Sequence, residues 1–491
     1  MANNPRMSAP YPEPDAEPVA PPPAGSASAR RHDHRDDTED HTAQSLYEKR
    51  QKIYPREVHG KFAFLRALAA TVLLGLFYGV AWLQWDGRQA LLFDLPERKF
   101  HVFWWTFWPQ DFFLMTGMLI AGALSLFLFT NVAGRLWCGY ACPQTVWTEI
   151  FMWFERKIEG DRGAQMKLAN APWTPRKLRI KTTKHVVWIA FALFTGYTFV
   201  GYFTPIRELT GKIFAGGLGG WETFWILFYG FATYGNAGWM REQVCKYMCP
   251  YARFQSAMFD KNTLIISYDA ARGEPRGSRR RGAQETGLGD CIDCTMCVQV
   301  CPTGIDIRDG LQYECIGCSA CIDVCNDVMD KMGYEPGLIR YTTENALEGN
   351  PQKILRPRTV LYSFLLLCVI GAVGYGVMNR TLVGLDVLRD RNSLYREVGA
   401  GVIENVYTVK ILNKTEREQT YDLAVSGVPG ATLEIDKRQP TVEAGGVLSV
   451  PARIRVDEDR LEGRSSELLL TVTSVDDPTL TKTTSVRFLG P

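Results

Sequence analysis

Three features of the 491-residue sequence together predict an integral membrane protein of several domains. Five stretches reach the roughly 20 apolar residues that a helix needs to cross a bilayer. Eight cysteines stand in two runs of identical spacing between Cys291 and Cys325, and the cysteine-free C-terminal part alternates apolar and polar residues in short segments. The expected fold is an α-helical membrane bundle of about five spans in two hairpin repeats, a two-cluster ferredoxin-like module, and a C-terminal immunoglobulin-like β-sandwich. The expected parts are a disordered tail (1–45), a four-span membrane domain (46–260), the cysteine-rich module (261–350), a fifth span (351–385) and the sandwich (386–491).

Net charge is only +2, so no whole-chain basic character points to nucleic acid. Hydrophobic residues make up an ordinary 46 %, but they are gathered in blocks. Residues 1–45 are rich in Pro, Ala, Ser and charge and cannot bury enough surface to offset ordering entropy. His32, His34 and His41 within them read as a solvated tail rather than a metal tract. No apolar core followed by a small-residue cleavage site precedes the first span, so no cleaved signal peptide is expected.

The expected spans are Phe62–Trp85, Phe113–Ala133, Val186–Thr204, Glu222–Trp239 and Thr359–Met378. Arg66, one turn into the first, is placed to snorkel to headgroups. Nine Lys and Arg residues lie in 155–184, and Arg272, Arg276, Arg279, Arg280 and Arg281 follow the fourth span. Basic loops stay inside. The N-terminus and cysteine-rich module are therefore expected in the cytoplasm and the C-terminal domain outside. Phe100–Trp108 (FHVFWWTFW) reads as an interfacial aromatic belt, and His101 within it as a packed side chain more readily than a quinone or metal contact. Beyond Val387, six or seven short strands separated by turn residues make the sandwich, which carries no catalytic constellation.

Both cysteine runs read C-x2-C-x2-C-x3-C. In two-cluster ferredoxins the last cysteine of each run serves the other cluster. One [4Fe–4S] cluster is thus assigned to Cys291, Cys294, Cys297 and Cys325, and the other to Cys315, Cys318, Cys321 and Cys301. Structural zinc takes two cysteine pairs separated by a longer loop, and a reducing compartment argues against disulfides. The second run ends Cys325-Asn326 where the pattern usually has Cys-Pro.

A second set of thiols is also repeated. Cys138-Gly-Tyr-Ala-Cys142-Pro143 and Cys245-Lys-Tyr-Met-Cys249-Pro250 each follow a span and precede an aromatic stretch. The first two and next two spans therefore read as two copies of one hairpin in parallel orientation. Pro at the first helical position puts Cys142 and Cys249 at helix N-caps, where the dipole is expected to lower a thiol's pKa. Packed pseudo-symmetrically, Cys138, Cys142, Cys245 and Cys249 converge on a site for Cu(I) or a further iron–sulfur centre, with Met240 and Met248 as nearby thioethers. Two unrelated helix-end thiols are the plainer alternative.

The order of these motifs resembles the cytochrome c oxidase accessory family, the FixG or RdxA polyferredoxins, over essentially the whole chain after the tail. The resemblance implies a bacterial inner-membrane protein that assists assembly of a cbb-type haem–copper oxidase and reduces Cu(II) to Cu(I), which makes it a cupric reductase. It carries the cluster ligands onto the eight cysteines of Cys291–Cys325, and the membrane motif onto Cys138, Cys142, Cys245 and Cys249. The partners implied are the lipid bilayer, oxidase-assembly or copper-transport proteins, a cytoplasmic electron donor and, as oligomer, a homodimer. Two other classes compete: a quinol-linked carrier feeding a respiratory reductase, and a non-enzymatic scaffold or copper chaperone.

Overall fold

The computed structural model describes residues 52–282, 287–390, 394–399, 401–461 and 463–491. The expected disordered tail lies outside them.

Among the described residues, three helices are long and apolar enough to cross a membrane: α1 (Lys61–Val80), α2 (Phe112–Ala133) and the last long helix, Pro357–Met378. Only 11 %, 6 % and 0 % of their apolar windows are buried, so their hydrocarbon faces outward. Five spans were expected, and the other two form helices with a difference. After the short α3 (Leu136–Tyr140) and α4 (Pro143–Glu159), α5 runs over Pro175–Val200, and its first half is the basic loop itself. Helix α6 (Gly220–Thr233) has only 14 α-helical residues before the winding widens into a π turn, Tyr234–Met240. Such π segments cluster at functional sites.

The helices alternate in direction. Gly196 of α5 lies against the Ile226 carbonyl of α6, while Gly230 of α6 meets Leu193 of α5, which fixes an antiparallel pair whose backbones meet through glycine. Gly117 of α2 likewise meets Val373, and Gly376 meets Leu114, so α2 and Pro357–Met378 are antiparallel. At one end, Asp323 of the cysteine module accepts the Phe62 and Ala63 N–H groups at 3.2 and 2.7 Å, capping α1. Arg66 donates to the Cys318 carbonyl rather than reaching headgroups. At the other end, the Tyr202 hydroxyl after α5 donates to the Phe77 carbonyl of α1 at 2.6 Å. Hence α1 and α5 run together, as the two-hairpin repeat requires.

The aromatic loop is a small three-stranded sheet, Leu91–Asp94, Lys99–Val102 and Trp105–Phe107, on the end away from the cysteines. Trp104 and Trp105 are exposed, whereas Phe107 and Trp108 are buried. His101 is held by Thr106 at 3.0 Å, a packed side chain. Next to it the buried Asp111 carboxylate takes Arg380 and Lys414, the latter at 3.2 Å, and so pins the sandwich to α2.

The sandwich has a five-stranded sheet (Thr432–Ile435, Val447–Asp457, Val402–Asn413, Val383–Arg389, with Arg396–Glu397 on the edge) and a four-stranded sheet (Thr441–Val442, Gln419–Ser426, Ser465–Ser474, Thr481–Leu489). Tyr407, Tyr421, Ile411, Leu470 and Phe488 fill the space between them. The cysteine module is closed by strand Ile265–Tyr268 pairing antiparallel with Ile339–Thr342. Its cysteine runs lie between these two strands.

Candidate functional site

Both ferredoxin-type runs fold the same way. Cys291-Ile-Asp293-Cys294-Thr295 and Cys315-Ile-Gly317-Cys318-Ser319 each place left-handed residues at matching positions: φ is 52° and 55° at Asp293 and Thr295, and 70° and 63° at Gly317 and Ser319. Three of these four carry side chains, and such strain persists where the surroundings demand it. Each loop turns thereby around a common centre and then enters a helix, Met296–Val300 in the first run and Ala320–Met332 in the second.

The crossed assignment is what the structure brings together. One cleft is lined by Cys291, Cys294, Cys297 and Cys325, and another by Cys301, Cys315, Cys318 and Cys321. Cys297 lines both; the remaining lining is mixed, with Arg308, Met329 and Leu338 at the first and Thr303, Ser319, Ile305 and Ile307 at the second. Two cradles of four thiols each fit a four-iron cluster, whose cubane asks for four thiolates. Burial pushes Cys325 and Cys315 up to about 12 and Cys297 up to about 11, so these thiols shed their protons on taking up metal. Cys294 alone of the eight is exposed. Asn326 accepts the Gly337 N–H at 2.9 Å, and the helix runs on past it to Met332 where a proline would have stopped it.

The two remaining motif loops are drawn into one locus: the helix after Cys249 supplies Gln255 to Cys138, and Gln144, two residues after Cys142, reaches the segment before Cys245. Cys142 and Cys249 are N-caps with Pro next, as expected. The expected pKa lowering fails at Cys142, because burial outweighs the helix terminus and raises it. Burial likewise carries Cys138 up to about 11 and Cys245 up to about 12. Met248 is 57 % exposed.

Several residues hold this locus together. Cys138 donates to Gln255 at 3.3 Å. Gln144 bridges the repeats by donating to the Asn236 and Arg241 carbonyls at 2.9 and 3.1 Å. Arg241, buried behind the π turn, pairs with Glu155 at 2.7 Å; Lys184 joins Glu155 and Glu159 at 3.3 and 2.7 Å. Arg241→Ala is expected to cost about 3 kcal/mol, the lower end for breaking a buried pair because Lys184 stays with Glu155. Thermal unfolding in detergent measures it, and an unchanged midpoint would refute the bracing role.

The two cysteine systems touch. A Cβ on Gly139, between Cys138 and Cys142, would lie 2.6 Å from the Gly317 oxygen and 2.9 Å from Cys318 Cα. Arg135 donates to the Cys315 carbonyl at 2.9 Å, and Tyr140 meets Ser319 at 3.0 Å. In the second repeat the place of Gly139 is taken by Lys246, and Tyr247 is exposed. That substitution is the sequence signal for which repeat docks on the module.

Family models match residues 115–160 as a 4Fe-4S binding domain and 240–344 as a 4Fe-4S dicluster domain. A third matches 373–491 as the IG-like fold at the C-terminus of FixG, described as an oxidoreductase. The nitrogen fixation protein FixG of Rhizobium meliloti is 38 % identical over 431 residues, 79 % of this chain and 82 % of its own. The chain belongs to the FixG family. Protein RdxB of Cereibacter sphaeroides, 40 % identical over 423 residues, covers 83 % of this chain and 88 % of its own. The crystal structure of a FixG-related protein from Vibrio parahaemolyticus is 34 % identical and covers 22 % of this chain and 95 % of its own, with a TM-score of 0.20. As a FixG-family member the chain is an iron–sulfur oxidoreductase of the electron-transfer class.

Proposed function

We propose that this FixG-family protein sits in the bacterial inner membrane and reduces Cu(II) to Cu(I) at its membrane-face thiols, serving copper delivery to a cbb-type oxidase under assembly. The observation that carries this is the contact of Gly139 with Gly317 and Cys318, which sets the Cys138–Cys142 loop directly on the second ferredoxin-type loop. Each [4Fe–4S] group, when bound, supplies one electron at a time. Cys291, Cys294, Cys297 and Cys325 hold one and Cys301, Cys315, Cys318 and Cys321 the other. Exposed Cys294 faces a cytoplasmic donor, and the Cys318 backbone lies against the Cys138–Cys142 loop. Copper, as substrate, takes one electron, and Cys138, Cys142, Cys245 and Cys249 favour the softer Cu(I) product over Cu(II). The cysteine module and sandwich lie at opposite helix ends, and the basic loops support a cytoplasmic side for the former and a periplasmic side for the latter.

Anaerobic purification with iron and sulfide analysis tests the reading. The expected result is about eight cluster irons per chain and rapid reduction of added Cu(II) by the dithionite-reduced protein. About twelve irons, with Cu(II) untouched, would assign the four membrane-face thiols to a third cluster and refute the copper site.

A further inference from the structure

A cavity of about 630 Å³ opens between the first turns of α1, the first turns of α4 and the ferredoxin-type loops. Its wall includes both Cys318 and Cys245, one thiol from each redox system. Whatever fills it therefore lies beside both. Its size suits a small ligand, since such pockets run from about 300 to 1,000 Å³. Phe64 and Trp153, both exposed, form an apolar rim, and Phe64 belongs to a helix apolar enough to span a bilayer. The polar end mixes charges: Arg66 and Arg156 with Glu149, which pairs with Arg156 at 3.5 Å. A phosphate headgroup would want the cations without the carboxylate. Ring hydroxyls, which both donate and accept, suit the mixture.

We propose that this cavity is a quinol site, a second point of electron entry that rests on the iron–sulfur electron-transfer reading above. Oxidation of the quinol to the quinone releases two electrons and two protons. The electrons match two one-electron iron–sulfur acceptors, those of the Cys318 set and of its neighbour. Glu149 takes the first proton and solvent the second. The pocket thus supplies a chemical reason for two acceptors in a protein whose copper step needs one electron at a time.

The test uses the intact, anaerobically purified protein in nanodiscs with a photoreactive azidoquinone and with decylubiquinol. The azidoquinone is expected to label residues 61–72 or 144–156, and excess decylubiquinol to prevent it. Ala67→Trp, which fills the cavity without replacing a cysteine, is expected to lower both labelling and quinol-driven bleaching by at least about tenfold. Dithionite-driven bleaching and iron content should stay as in the wild type. Should that variant lose iron, Thr71→Phe, one turn on, replaces it. Labelling elsewhere, or labelling indifferent to the plug, overturns the site and leaves a lipid or another chain segment as its occupant. If dithionite still drives Cu(II) reduction when quinol does not, only the quinol site falls; if neither does, the copper reading falls with it.

Discussion

Gly139→Val is expected to slow Cu(II) reduction by the pre-reduced protein several-fold while leaving iron content intact, because lifting the Cys138–Cys142 loop widens the gap each electron must cross. The atoms a side chain would meet are the Gly317 carbonyl carbon and oxygen and Cys318 Cα, at 2.6 to 2.9 Å. All are backbone, so none can swing aside as a rotamer would. The Gly317 loop is also held by its own left-handed turn, with φ of 70°, and by Arg135 donating to Cys315. Hence the Cys138–Cys142 loop must lift away, at an overpacking cost of about 1–3 kcal/mol. Stopped-flow absorbance after mixing the dithionite-reduced, desalted protein with Cu(II) reads the rate, and electron paramagnetic resonance confirms that the ferredoxin-type centres are unchanged. Lys246→Val, at the matching place in the other repeat, is the control and should leave the rate near wild type. A Gly139→Val protein as fast as the wild type would remove this contact from the electron path.

Local chemistry makes part of this site legible in the sequence. That Cys325 lines the cleft of the first run and Cys301 that of the second agrees with the spacing, because three cysteines in a tight loop leave a fourth corner to be filled from elsewhere. The N-cap positions of Cys142 and Cys249 followed from proline chemistry in the same local way. What depended on tertiary burial did not follow. The dipole argument for Cys142 was sound but was outweighed by desolvation, which no local motif reports. Helix α6 was expected to span over Glu222–Trp239, yet its α-helical winding ends at Thr233, where the chain opens into the π turn leading to Arg241 and its pairing with Glu155. Arg66 looked like a snorkelling residue because its partner, the Cys318 carbonyl, is 252 positions away.

Separate replacement of Cys301 and Cys325 by Ser should injure the clefts opposite to those suggested by their positions in the chain. Cys325→Ser removes a wall residue of the cleft formed by Cys291, Cys294 and Cys297, and Cys301→Ser one from the cleft of Cys315, Cys318 and Cys321. Each variant is expected to lose about four irons, or to degrade to a three-iron centre, while the other set keeps its signal. The functional consequences differ because only the second set touches Gly139. Cys301→Ser should abolish dithionite-driven Cu(II) reduction almost entirely. Cys325→Ser should retain single-turnover reduction while losing turnover with a protein donor, since exposed Cys294 belongs to the damaged cleft. Iron analysis, electron paramagnetic resonance and single-turnover kinetics on the two variants separate these outcomes. Equal loss of copper reduction in both would mean that the two sets act as one unit and that proximity to the membrane thiols confers no special role on Cys318.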